Sequence, residues 1–204
     1  MKSLFKEDQS VHLLKDMPDA EVSYCPNFIP AEEQQAIYQQ LYDEINWQQD
    51  DIKIFGKIHP QPRLTALYAS HNRPYSYSSI VMHPQKFTPL LNKLKDRAER
   101  YSKHQFNSCL LNLYRYGKDS NGWHADDEKE LGINPVIASI SLGAARKFKF
   151  RRKDDKKQTR NVQLEPGSLL LMAGETQHYW QHQLPKTARE IAPRINLTFR
   201  TIVH

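Results

Sequence analysis

RINLTFR, Arg194 to Arg200, alternates strictly between polar and apolar side chains. In extended backbone successive side chains point to opposite faces. Ile195, Leu197 and Phe199 therefore share one face, and Arg194, Asn196, Thr198 and Arg200 share the other. The first face is core. The second is too polar and too regular for a core, and an arginine stands at each end of it. Guanidinium groups grip carboxylates with a two-pronged fork that lysine cannot copy. CLLNLYRY (109–116) has the same grain, with Asn112 and Tyr114 on one face and Leu111 and Leu113 on the other. Two strands so patterned can offer polar groups to one barrel interior.

Working outward, VIASISLG (136–143), RKFKFRR (146–152), NVQLE (161–165), SLLLM (168–172) and HYWQHQL (178–184) also read as short strands. Gly, Pro and acidic turn residues punctuate them, as in LGAA and EPGS. Upstream, PAEEQQAIYQQLYDEI (30–45) reads as a helix opened by Pro30, with Ile37, Leu41 and Ile45 at four-residue intervals. Thr88 and Pro89 open a second helix running to about Tyr101, with Leu91, Leu94 and Ala98 as its apolar stripe. Seven strands after two helices predict an antiparallel barrel or jelly roll braced by helices, mainly β in class. With no repeat and no low-complexity linker, residues 21–204 are expected to form a single domain behind a flexible lead-in, 1–20. The Pro- and Tyr-rich segment at about 50–80 is too long for an ordinary connection, and long loops often carry function.

Composition narrows the classes. Of 204 residues, 39% are hydrophobic and 25% charged, and no stretch approaches the roughly 18 apolar residues of a membrane span. The N-terminus MKSLFKEDQS is charged where a signal peptide is apolar. Cys25 and Cys109 form no CxxC pattern, which argues against a disulfide framework and a thiolate zinc site and fits a reducing compartment. Between Arg146 and Arg160 lie nine basic residues and two acids, a local excess larger than the whole chain's net charge of +6. Arg151, Arg152, Lys153, Lys156 and Lys157 belong to that run. It reads either as a solvated hairpin tip or as the footprint of a polyanionic partner.

NGWHADDE (121–128) concentrates one imidazole and three carboxylates. His124 and Asp126, two residues apart, point the same way in extended backbone. A His, a carboxylate and a distant second His make the facial triad that leaves positions open on non-haem Fe(II). TQHYWQHQLP offers two such partners, His178 and His182, on one face of a predicted strand; alternation does not choose between them.

Taken together, HxD, the later His, RINLTFR, NLY and HADDE resemble the AlkB family of Fe(II)/2-oxoglutarate dioxygenases, most of all its subgroup of human DNA-repair homologues. The resemblance covers roughly residues 55–201 and implies a double-stranded β-helix with a nucleotide-recognition lid at about 50–80. It implies that His124, Asp126 and His182 hold iron, with His178 a strand neighbour. It matches Arg194 and Arg200 to the arginines that hold the carboxylate ends of 2-oxoglutarate, and Asn112, Tyr114 and Thr198 to its hydrogen-bonding partners. Glu128 corresponds to an acid aimed at the cationic lesion. YSYS (75–78) resembles the segment that contacts the extruded base. Tyr77 would stack on one side of the base, His124 on the other, with Tyr75 nearby. IFGK (54–57) resembles a duplex-opening finger, with Phe55 as wedge and Lys57 beside it, although the flanking QPRLTALYA looks more like members that prefer single strands.

The implied activity is oxidative dealkylation of bases of the 1-methyladenine and 3-methylcytosine type in DNA, with RNA as the alternative. It would use Fe(II), 2-oxoglutarate and O₂, and release formaldehyde, succinate and CO₂. An oxygenase acting on protein or a small molecule, and a non-catalytic nucleic-acid module, are the competing classes. The basic run argues against the first and the full donor set against the second. A monomer is expected, without membrane attachment, in the cytoplasm of a bacterium or the nucleus of a eukaryote.

Overall fold

The computed structural model describes residues 12–14, 16–54, 56–77 and 80–203. In chain order the elements are β1 (His12–Leu13), β2 (Glu21–Cys25), α1 (Ala31–Glu44), β3 (Asp51–Ile54), β4 (Lys57–Pro60), β5 (Leu64–Ala69), β6 (Tyr75–Tyr77), β7 (Ile80–Met82) and α2 (Pro89–Ser102). There follow β8 (Ser108–Tyr114), β9 (Asn121–His124), a 3₁₀ turn (Lys129–Leu131), β10 (Ile137–Gly143), β11 (Arg146–Arg152), β12 (Thr159–Leu164), β13 (Leu169–Ala173), α3 (Thr176–Tyr179), β14 (Trp180–Leu184) and β15 (Arg194–Arg200). A seven-stranded sheet has the order β1-β2-β13-β10-β15-β8-β5, and a four-stranded sheet the order β12-β11-β14-β9. All pairings within both are antiparallel, which makes the jelly roll expected from the strand pattern.

Both predicted helices are present. Pro30 stands at the N-cap of α1, and Thr88 Oγ1 accepts from Leu91 N at 3.2 Å at the start of α2. Their stripes, Ile37 and Leu41, then Leu91, Leu94 and Ala98, pack with Ile195, Leu197 and Phe199 of β15 in one core cluster. A second cluster joins the two sheets: Leu110, Ile137, Leu170 and Met172 from one, Phe150, Leu164 and Trp180 from the other. Fully burying each such side chain contributes about 1.5–3 kcal/mol. The apolar face of β15 therefore meets the helices. That leaves its polar face for the space between the sheets, where Asn112 of β8 and Asn196 of β15 lie opposite one another in register.

Three local readings change. His178 does not lie on a strand: HYWQHQL is split between the helical turn α3 and the strand β14. The turn follows Gly174 at φ +55°, and Thr176 Oγ1 is tied back to Ala173 O. The segment 50–80 is not one loop. β5 within it is a strand of the large sheet, while β3–β4 and β6–β7 form two small hairpins. Of the lead-in, the described part is packed: β1 pairs with β2, Met17 is buried, and Pro18 O accepts from Trp180 Nε1 and Arg152 Nη1. No helix among the described residues is long and apolar enough to cross a membrane.

Candidate active site

Three strands of the small sheet build the first half of the site. His182 on β14 is paired with His124 on β9 and with Phe150 on β11, so all three side chains share one face. The imidazole centroids of His124 and His182 lie 4.3 Å apart. β9 ends at His124, and the bend that follows brings in Asp126, only 1% exposed. One donor atom from each of His124, Asp126 and His182 falls within 4.8 Å of the others. Two imidazoles and one carboxylate, two of the three residues buried, suit a borderline metal such as Fe(II) and leave coordination positions open.

Hydrogen bonding prepares these donors. The Gly122 carbonyl can only accept, so His124 Nδ1, 2.8 Å away, carries the proton and Nε2 is the acceptor. Burial, then the proximity of His124, pushes the His182 pKa down to about 3, so its ring is neutral at physiological pH. Its face stacks on Phe148 at 5.3 Å. Burial alone would raise the Asp126 pKa. The charge of Arg200, whose Nη2 donates to Asp126 Oδ1 at 2.7 Å, overrides that and holds the carboxyl below its usual range.

The large sheet supplies the second half. Asn112, Ser139, Asn196, Thr198 and Arg200 line the same cavity as the His-Asp-His cluster. Arg194, 2% exposed, lies beside Tyr114, its guanidinium 5.3 Å from the ring centroid, and its Nη2 donates to Ser141 Oγ at 2.9 Å. Burial lowers its pKa to about 10, which still leaves it cationic. Arg194 makes no ion pair among the described residues, and its Nε is buried without a hydrogen-bond partner. A buried cation lacking an anion is costly. A cosubstrate carboxylate is the group that would complete it. Arg200 is placed differently from Arg194, because its carboxylate partner is already in the fold.

Other expected residues separate into groups. Glu128 is half-buried next to the cluster; burial and then Asp126 raise its pKa, and Oε2 is buried without a hydrogen-bond partner. Asp127, read in sequence as surface, pairs with Lys153 at 2.9 Å, joining the loop after β9 to the β11–β12 hairpin. Arg151 stacks 4.2 Å from the Trp123 ring centroid and bonds Gln181. Arg152 is drawn into the fold by Asp19 and Asp154, each at 2.7 Å, so its charge is largely neutralised from within. Lys57, Lys156 and Lys157 are exposed, and the last two make no ion pair among the described residues. Tyr75 and Tyr77 lie on β6, paired with β7. Phe55 falls outside the described residues.

Glu128→Gln is expected to raise the melting temperature of the metal-free protein by a few degrees at about pH 8. A carboxyl whose pKa is raised on folding is penalised when ionised, so stability falls as pH climbs from its ordinary value through the folded one. The gain should disappear by about pH 4, where the unfolded carboxyl is also protonated. Thermal melts across that range check it, and a gain independent of pH would contradict it.

Arg63, Asn121 and Gln177 escaped the sequence reading. Gln177 Oε1 accepts from Asp126 N at 2.9 Å, and Asn121 Nδ2 contacts His124 Nε2 at 3.2 Å. Arg63 is 3% exposed beside Asn112. A polar residue at an element's edge carries no periodic signal, and nothing local marked any of the three.

Residues 21–200 match the family described as the 2OG-Fe(II) oxygenase superfamily. The chain is 42% identical over 195 residues to the alpha-ketoglutarate-dependent dioxygenase alkB homolog 3 of Bos taurus, covering 89% of this chain and 66% of that protein. It is 38% identical over 191 residues to the DNA oxidative demethylase ALKBH2 of Homo sapiens, covering 89% and 73%. It thus spans about two thirds of the length of the curated relatives it matches. The solved structure of OsALKBH1 superposes with a TM-score of 0.65 over 94% of this chain and 99% of that one, at 17% identity, which is a likeness of fold.

Proposed function

Because the chain belongs to the 2OG-Fe(II) oxygenase superfamily, and within it to the AlkB family, we propose that it removes N-alkyl groups from bases in nucleic acid, DNA first. The observation that carries this reading is the largely buried His124–Asp126–His182 cluster sharing a cavity with Asn196, Thr198 and Arg200 of β15, together with the buried Arg194 on the same strand, which makes no ion pair among the described residues. Similarity to relatives whose names include a DNA oxidative demethylase supports the substrate class.

His124, Asp126 and His182 would hold Fe(II), with neutral imidazoles ready to donate. Arg194 would take the distal carboxylate of 2-oxoglutarate, with Tyr114 beside it, while Asn112 donates a hydrogen bond and Thr198, through its bond to Asn196, lines the same site. Arg200 would hold the Asp126 carboxylate in place while facing the cosubstrate from the other side. With Fe(II) and 2-oxoglutarate bound, the site supplies an oxidation that consumes O₂ and converts an N-methyl group into formaldehyde, with succinate and CO₂ as co-products. Glu128, partly desolvated, would favour a base made cationic by alkylation over its neutral counterpart. Lys156 and Lys157, with Lys57, would contact phosphates. Tyr77 and Tyr75 would face the extruded base, and Phe55 would wedge the gap it leaves. The chain would act as a monomer wherever its nucleic acid lies, nucleus or bacterial cytoplasm.

The test is incubation with Fe(II), 2-oxoglutarate and oligonucleotides bearing 1-methyladenine or 3-methylcytosine, as DNA and RNA, single- and double-stranded. Mass spectrometry should show loss of one methylene equivalent from the alkylated base, matched by succinate. Succinate release without any change in the oligonucleotides would move the substrate to another class. Demethylation confined to RNA would make RNA the substrate.

A further inference from the structure

We propose that Arg63 is a positioning residue of the cosubstrate site: it fixes the Asn112 carboxamide so that its N–H groups, not its oxygen, face the cavity. The inference rests on the reading that this cavity takes 2-oxoglutarate. Arg63 is 3% exposed; its Nε donates to Asn112 Oδ1 at 2.7 Å and its Nη1 donates to Ser120 O at 3.2 Å. A guanidinium has five donors and no acceptor, so only the oxygen of a carboxamide can face it. The Asn112 amide is thereby locked in one of its two otherwise similar orientations, with Nδ2 3.5 Å from Asn196 Oδ1.

The network continues in the same sense. Asn196 Nδ2 donates to Ser139 Oγ at 2.8 Å and to Ile140 O at 3.1 Å, and Asn196 Oδ1 accepts from Thr198 Oγ1 at 3.1 Å. Asn112, Ser139, Asn196 and Thr198 all line the cavity shared with the His-Asp-His cluster. One N–H of Asn112 is directed at Asn196, which leaves the second for an acceptor in the cavity. A flipped amide would instead present its oxygen to the oxygens of the cosubstrate, an acceptor against an acceptor. Arg63 also forms no ion pair among the described residues. The bond to Ser120 O ties the same side chain to the residue just before β9, the strand that carries His124.

The experiment is calorimetric titration of 2-oxoglutarate into protein loaded with Mn(II), which replaces Fe(II) without turnover. Arg63→Met should weaken cosubstrate binding at least about tenfold, which is about 1.4 kcal/mol. Arg63→Lys, which keeps the charge and loses the fork, should fall between it and wild type. Mn(II) affinity in the absence of cosubstrate should change by less than about twofold, because Arg63 donates to no metal-binding group. In an Asn112→Ala background, Arg63→Met should add less than about twofold, since the residue acts through that amide. Wild-type affinity in both Arg63 variants overturns the inference, as do full additivity with Asn112→Ala or a parallel loss of Mn(II). Should Arg63→Met fail to fold, Arg63→Lys alone decides: unchanged affinity overturns the inference. Failure of wild-type protein to bind 2-oxoglutarate overturns the underlying reading as well, so the two failures are distinct.

Discussion

His182→Ala is expected to lose turnover entirely and more than about 100-fold in Fe(II) or Mn(II) affinity. Loss of a residue that merely supports a ligand typically costs 10–100-fold, and loss of the ligand itself exceeds that. Two protein donors would remain of three. His178→Ala should leave both quantities near wild type, because His178 sits on α3 and its Nε2 bonds Asn134 Oδ1 at 2.7 Å, away from the cluster. The fold should survive the first substitution. The His182 ring is held neutral, so no buried charge is stranded by its removal, and the lost packing against Phe148 and Phe150 is a modest truncation. Electron paramagnetic resonance of bound Mn(II), succinate release and a thermal melt on both variants check this. Retained turnover in His182→Ala with loss in His178→Ala would reverse the ligand assignment.

Arg200→Met is expected to destabilise the metal-free protein by about 3–5 kcal/mol at neutral pH, because it leaves the Asp126 carboxylate buried without its cation. For a domain of this size that is a fall of roughly 10 °C in melting temperature. The pH dependence has a definite sign. Arg200 holds the Asp126 pKa down in the folded state, so the pair's stabilisation is present above the ordinary carboxylate pKa and lost as pH falls through the depressed folded value. The gap between wild type and variant should therefore narrow on acidification below about pH 4, where the stranded carboxylate is protonated. Mn(II) should restore part of the lost melting temperature by giving Asp126 another positive partner. Turnover should not return, since the guanidinium that lines the cavity and is proposed to face the cosubstrate is gone. A melting temperature equal to wild type in metal-free buffer would show that the ion pair is not formed. The same coupling makes Asp126→Ala a poor probe of the metal alone, because it also removes the carboxylate with which Arg200 pairs.

The two-residue period of RINLTFR was enough to place Ile195, Leu197 and Phe199 in the core and Arg194, Asn196, Thr198 and Arg200 on an inward polar face. Local chemistry was likewise enough for both helices, since Pro30, Thr88 and Pro89 act within a turn of themselves. Periodicity and capping depend on neighbours along the chain, which a sequence displays directly.

What the chain could not display is which distant groups meet. Alternation put His178 and His182 on one face. The tertiary structure winds the first into a helical turn and brings the second against β9. Arg194 and Arg200 are equivalent by pattern, but the bend after His124 delivers Asp126 to Arg200, while Arg194 meets no acid among the described residues. Arg152 reads like its basic neighbours, but Asp19, more than a hundred residues earlier, neutralises it. Arg63 has no periodic context, and its meaning lies in Asn112, on the strand paired with β5. The sequence by itself determined the strands, the helices and the kinds of donor available. Only the tertiary structure decided the pairings, because the energy of a buried charge or hydrogen bond depends on its partner within a few ångströms, whatever the separation along the chain.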